Sequence, residues 1–121
     1  MKKILIVDDE ANILMTLEYA FKKKNYQVFI ARDGLEALDL LKNEIPDLII
    51  LDIMMPQVDG YTTLETIKGN PLLKHCKVIF LSAKKQESDI EKGLLLGADD
   101  YVTKPFSIKK LIENVESLLG E

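Results

Sequence analysis

Apolar residues gather in five short runs along an otherwise polar chain: Ile4 to Val7, Val28 to Ala31, Leu48 to Leu51, Val78 to Leu81 and Tyr101 to Thr103. Each run is strand-sized, and most are continuously apolar rather than alternating, which predicts strands covered on both faces. The intervening segments switch to helical spacing. Ile13, Leu14, Leu17 and Phe21 mark the first, Ala37, Leu38 and Leu41 the second, Leu64 and Ile67 the third, and Ile108, Leu111, Ile112, Val115 and Leu119 the fifth. Glu87 to Leu96 supplies the fourth, with Gly93 as a weak point, because glycine costs a helix backbone entropy. Asp33-Gly34, Asn70-Pro71 and Gly97 punctuate the pattern as turns or caps. Strict alternation of strand and helix predicts an α/β fold in which a five-stranded parallel sheet carries five helices divided between its two faces.

Composition narrows the function classes. A chain of 121 residues, 47% hydrophobic and 30% charged, fits one compact domain, read here as residues 1–121, with no repeat or linker. Acidic residues outnumber basic ones 20 to 16, for a formal net charge of −4, so no overall positive field favours nucleic acid or an anionic membrane. Cys76 is the only cysteine, which excludes an internal disulfide and a cysteine metal cluster. The opening Met-Lys-Lys-Ile carries no signal-peptide pattern and no apolar run has membrane length, so a soluble, cytoplasmic protein is expected.

Open parallel sheets bind ligands beyond the carboxyl ends of their strands, beside the point where strand order reverses. The first strand ends in Asp8-Asp9, the third in Asp52, the fourth in Ser82-Ala83 and the fifth in Lys104-Pro105; the second ends in Ala31-Arg32, with no evident chemistry. In the order 2-1-3-4-5, strands one and three are neighbours, so Asp8, Asp9 and Asp52 converge and Ser82 and Lys104 flank them. Three such carboxylates repel one another. A hard divalent cation relieves the repulsion, and oxygen donors without histidine or thiolate suit Mg²⁺. A carboxylate can also act as a nucleophile and form an aspartyl phosphate. Asp52 is the preferred nucleophile because its central strand delivers it to the middle of the pocket. The metal, the Lys104 ammonium and the Ser82 hydroxyl then supply the charge neutralisation that phosphoryl transfer needs.

Taken in order, the segments "ILIVDDE", "DGLEAL", "PDLIILDIMMPQVDGY", "VIFLSA" and "GADDYVTKPF" resemble the response-regulator receiver domains of two-component signalling, including the chemotaxis-type single-domain members. The resemblance covers essentially the whole chain. It implies a flavodoxin-like, doubly wound sheet of order 2-1-3-4-5 and a phospho-switch rather than an enzyme with an external substrate. It makes Asp52 the phosphoacceptor, Asp9 a direct Mg²⁺ ligand, Asp8 a ligand acting largely through metal-bound water, and the Met54 backbone carbonyl the last protein donor. Ser82 would hydrogen-bond the phosphoryl group, Lys104 would pair with it, and Tyr101 would be a switch aromatic that swings inward as Ser82 moves toward the phosphate. The Lys104-Pro105 peptide is expected to be cis. A histidine kinase or phosphotransfer protein is the implied donor, and a downstream protein or output domain the implied reader, at the face of the fourth helix, fifth strand and fifth helix. Lys110 and Asn114 stand where winged-helix relatives place an acid and an arginine for dimer salt bridges, so a monomer or a weak phosphorylation-dependent dimer is expected.

Plainer readings stand beside these. Asp8 or Asp9 could serve only as a helix cap, Asp52 as a turn residue, Ser82 as a strand-end hydroxyl and Lys104 as a surface cation. Tyr101 could be simply a half-buried aromatic. Leu94, Leu95 and Leu96 are either core with one exposed leucine or a docking patch, and His75 is a solvated loop residue. Glu10 is read as a partner of the first helix dipole rather than as a ligand. An FMN carrier would share the fold, but "DDEAN" would repel its phosphate. An aspartate-based phosphatase would want a second acid where this chain has Met54.

Overall fold

A computed structural model describes the whole chain, residues 1–121. Strands and helices alternate as β1 (Lys3–Val7), α1 (Ala11–Lys23), β2 (Gln27–Ala31), α2 (Gly34–Leu40), β3 (Leu48–Leu51), α3 (Gly60–Lys68), β4 (Lys77–Ser82), α4 (Glu87–Leu95), β5 (Asp100–Thr103) and α5 (Ile108–Leu119). The strands form one parallel sheet in the order β2-β1-β3-β4-β5. The fold is the doubly wound, flavodoxin-like arrangement expected from the sequence, with strand boundaries within a residue or so of the apolar runs.

Successive side chains on a strand point to opposite faces, and the core divides accordingly. Leu5, Val7, Ile49, Leu51, Val78 and Phe80 face one way, against Ala37 of α2 and Tyr61, Leu64 and Ile67 of α3. Ile4, Ile6, Leu48, Ile50, Ile79 and Leu81 face the other, against Leu14, Leu17 and Phe21 of α1 and Leu111 and Val115 of α5. This is why β1, β3 and β4 carry no alternation: both of their faces are dry. The flanking strands β2 and β5 are only partly covered.

Side-chain caps set where helices begin. Asp33 accepts from the Glu36 amide at 2.8 Å, Asp59 from Thr62 at 2.8 Å, and Ser107 from Lys110 at 3.2 Å. Helix α5 stops at Gly120, whose φ of 73° is the left-handed conformation that glycine tolerates. Helix α4 departs from expectation in an informative way. Gly93, a weak point by propensity, is its only buried residue. A Cβ there would come within 2.9 Å of Phe80 Cδ2 and 3.1 Å of Tyr101 Cδ2, so the missing side chain is what lets α4 lie against the sheet. Of the three leucines that follow, Leu96 packs on the core while Leu94 and Leu95 are exposed, Leu95 almost fully at 87%.

Candidate functional site

Register builds the site. Val7 pairs with Leu51, so the next residues, Asp8 and Asp52, emerge side by side at the carboxyl edge, and the Asp52 amide still donates to the Val7 carbonyl at 2.9 Å. On the other flank Ser82 pairs with Thr103, and the Lys104 amide donates to the Ser82 carbonyl at 2.9 Å. One carboxylate oxygen from each of Asp8, Asp9 and Asp52 lies within 4.8 Å of the others. The structure thus brings together all the acids and the lysine singled out in the sequence, and none of them is left on a remote surface. The Lys104-Pro105 peptide is cis, as expected.

Asp8 and Asp52 are buried, whereas Asp9 is exposed at the rim. Asp8 Oδ1 accepts from the Glu10 amide at 2.9 Å, and Asp52 Oδ1 from the Ile53 amide at 2.7 Å. The remaining oxygens turn toward Lys104, whose ammonium lies 2.9 Å from Asp8 Oδ2 and 3.4 Å from Asp52 Oδ2. Close as it is, the ammonium does not align on Asp8 Oδ2, which stays buried without a hydrogen bond. Burial pushes both carboxyls above their ordinary range, against the pull of Lys104 and of the backbone donors. Burial also works to lower Lys104, but the contact with Asp8 and the charges of Asp52, Asp8 and Glu10 outweigh it, and its shift is upward.

A hard cation fits this donor set. Three carboxylates converge, burial penalises the charge on two of them, and Asp8 Oδ2 is met only by the off-axis Lys104 ammonium. Asp9 lines an open cleft of about 390 Å³ with Met54, Met55, Asp59, Tyr61 and Lys84. The larger hollow of about 950 Å³ between α1 and α5, around Met15, Tyr19 and Ile112, is mainly apolar and contains none of the site residues.

Ser82 ends β4 fully buried, and its Oγ accepts from the Lys84 amide at 3.2 Å. Tyr101 on β5 is half-buried, and its hydroxyl donates to the Lys84 carbonyl at 2.7 Å. Ser82 and Tyr101 therefore grip the same residue of the β4–α4 loop. Met54 is exposed and lines the cleft beside Asp9.

Glu10 stands at the N-cap of α1, one residue ahead of its first turn, where its side chain makes no cap hydrogen bond; its carboxylate also lies 3.5 Å from Lys104, a contact the dipole reading did not include. Adjacency in "VDDE" was the available signal; what it lacked was the direction in which the chain turns after Asp9. Tyr61 and Lys92 were not singled out in the sequence. The Lys92 ammonium sits 4.2 Å from the centre of the Tyr61 ring, a contact between α3 and α4 that no local pattern announces.

Comparison with known proteins agrees with this geometry. The profile for the response regulator receiver domain matches residues 4–116. The alkaline phosphatase synthesis transcriptional regulatory protein PhoP of Bacillus subtilis is 43% identical over 118 residues, which is 98% of this chain and 48% of that protein, so the chain spans about half the length of this relative. Among solved structures, the signal receiver domain of a signal transduction histidine kinase from Syntrophus aciditrophicus superposes with a TM-score of 0.91 at 37% identity, covering 99% of this chain and 91% of that one. The BeF₃-activated DrrB receiver domain superposes with a TM-score of 0.91 at 32% identity, covering 100% and 99%. By fold, by site and by this shared sequence, the chain belongs to the response regulator receiver domain family of two-component signalling.

Proposed function

We propose that residues 1–121 act as one Mg²⁺-dependent phospho-switch in which Asp52 accepts a phosphoryl group from a histidine kinase or phosphotransfer protein. The observation that carries this reading is the convergence of Asp8, Asp9 and Asp52 around the Lys104 ammonium. An Asp52 carboxylate oxygen attacks the phosphorus of a phosphohistidine. The new P–O bond forms as the P–N bond breaks, and the departing imidazole nitrogen keeps the electron pair and takes a proton from solvent. Asp52 Oδ1 is oriented by the Ile53 amide, which leaves Oδ2 facing the pocket.

Asp8, Asp9, Asp52 and the Met54 carbonyl would hold Mg²⁺, which when bound neutralises charge on the phosphoryl oxygens. Lys104 then exchanges its contacts with Asp8 and Asp52 for one with a phosphoryl oxygen, and Ser82 offers its hydroxyl to another. Since Lys84 is bonded to both Ser82 and Tyr101, movement of Ser82 displaces the β4–α4 loop and the Tyr101 hydroxyl together. The consequence is a population shift at the face of α4, β5 and α5, read by a downstream protein or output domain, without turnover of an external substrate. No helix is long and apolar enough to cross a membrane, and the acidic balance argues against direct nucleic-acid binding. Lys110 and Asn114 favour a monomer or a weak phosphorylation-dependent dimer.

The test is intact mass after incubation with acetyl phosphate and Mg²⁺, alongside Asp52→Ala and a chelated control. One added phosphoryl group is expected on the unmodified protein alone. No addition, or equal labelling of Asp52→Ala, would overturn the reading.

A further inference from the structure

Helix α4 is held to the molecule by few contacts. Gly93 is its only buried residue, and it rests on Phe80 and Tyr101, two of a row of three aromatic rings contributed by three different elements. Tyr61 of α3 meets Phe80 of β4 edge-on with centroids 5.7 Å apart, and Phe80 meets Tyr101 of β5 at 5.9 Å. The two ends of the row are tied to different parts of the α4 region. Tyr101 donates to the Lys84 carbonyl in the loop that leads into α4. Lys92 of α4 places its ammonium 4.2 Å over the Tyr61 ring, and Lys84 lies 3.6 Å from Asp89 on the first turn.

Tyr61 is also tied to the acidic pocket. It lines the same cleft as Asp9 and Met54 and follows Gly60, whose amide donates to the Ile53 carbonyl at 2.8 Å and whose absent Cβ would overlap the Asp52 carbonyl oxygen. The first turn of α3 is therefore packed and hydrogen-bonded directly against the Asp52–Ile53 backbone. An element with so little buried surface is drawn from the low-stability end of a fold, and a single cation–π contact, even from the exposed Lys92, is large enough to bias its position.

We propose that Tyr61 and Lys92 form a latch by which α4 senses the Asp52 side of the pocket, in parallel with the Tyr101 contact that senses the Ser82 side. This rests on the phosphoacceptor reading above and adds to it a second route of coupling. By linkage, the factor by which occupancy of Asp52 changes the strength of the latch is the factor by which breaking the latch changes affinity for a phosphoryl group or its analogue there.

The experiment titrates Mg²⁺ and beryllofluoride into the full chain and follows amide hydrogen exchange over Lys92 to Leu96. It uses Lys92→Met, which keeps an apolar stem and removes the charge, Lys92→Arg, Tyr61→Leu and the Lys92→Met/Tyr61→Leu double variant. Lys92→Met is expected to exchange its α4 amides faster and to change its affinity for beryllofluoride by about two- to fivefold, the factor that one such contact supplies. Lys92→Arg should behave as the unmodified protein, and the double variant should match Tyr61→Leu, since each single change already removes the latch. Unchanged affinity and exchange in Lys92→Met, or effects that simply add in the double variant, would overturn the latch. If the unmodified protein itself takes up neither beryllofluoride nor phosphate, the phosphoacceptor reading fails and the coupling falls with it.

Discussion

Lys104 and Asp8 lie 2.9 Å apart in a site where their side chains are only 11% and 2% exposed, and the same ammonium serves Asp52. Lys104 is thus the cation that makes two buried carboxylates tolerable without metal. Lys104→Met is expected to destabilise the metal-free protein by about 2 kcal/mol at neutral pH, since removing one partner leaves buried charge uncompensated. The loss should shrink at mildly acidic pH, where protonation of Asp8 and Asp52 removes the charge, and Mg²⁺ should partly restore stability. Denaturant unfolding at the two pH values reads this directly; equal stability at neutral pH would show that Lys104 compensates nothing.

Asp8 yields the complementary expectation. Its carboxyl is held above the ordinary range chiefly by burial, so the folded state binds its proton more tightly than the unfolded state does. That contribution is full below the ordinary carboxylate range and is lost as pH rises through the raised value. Asp8→Asn removes the loss, and the metal-free variant should gain about 1 kcal/mol at neutral pH. The gain has a consequence for metal: Mg²⁺ at ten times its Kd adds about 1.4 kcal/mol to a protein that binds it only when folded, and this increment should disappear in the variant. Melting temperatures with and without Mg²⁺ separate the two effects.

Gly93 and Gly60 should respond differently to alanine. At Gly93 the helix gains about 1 kcal/mol of propensity, but the new Cβ meets the packed rings of Phe80 and Tyr101. Overpacking of about 1–3 kcal/mol outweighs the gain, so Gly93→Ala should be mildly destabilised and its α4 amides should exchange faster. At Gly60 the obstacle is backbone, the Asp52 carbonyl oxygen and Ile53 Cα, which cannot rotate away. Gly60→Ala should lose more stability than Gly93→Ala and should also lose Mg²⁺ binding. The reverse order in unfolding experiments would contradict this account of the two close approaches.

The contrast between these glycines shows what sequence could and could not reveal. Strand positions were legible because β1, β3 and β4 are dry on both faces, and continuous runs such as Leu48 to Leu51 signal that condition without reference to partners. Strand ends then carried Asp8, Asp52, Ser82 and Lys104 into one place, because a parallel sheet aligns its carboxyl edges. What stayed hidden depends on contacts between elements far apart in the chain. Propensity marks Gly93 as a defect, and only the rings of Phe80 and Tyr101 beneath it reveal a packing site. Likewise Lys92 meets Tyr61 from a different helix, and Glu10 reaches Lys104 from ninety-odd residues away, as no local periodicity records.

Tyr101 offers a test at alkaline pH. Burial first, then the nearby Tyr61 phenol and, more weakly, the Asp89 and Asp52 carboxylates push its phenol up to about 12, although the Ser82 contact works in the other direction. The unfolded chain releases this proton near the ordinary phenol value of about 10, so between the two values the folded state holds more protons. Stability is therefore fully present below about pH 10 and lost as pH rises through about 12, by an amount on the order of 2 kcal/mol. Tyr26 is also raised, by burial and by its hydrogen bond to Glu121, so the unmodified protein carries both contributions. Tyr101→Phe removes one of them together with the hydrogen bond to the Lys84 carbonyl. It should be about 1 kcal/mol less stable near neutrality, with the difference narrowing as pH rises above 10. A constant difference across that range, measured by denaturant unfolding, would mean that the Tyr101 phenol is not the group whose ionisation loosens the β4–α4 loop.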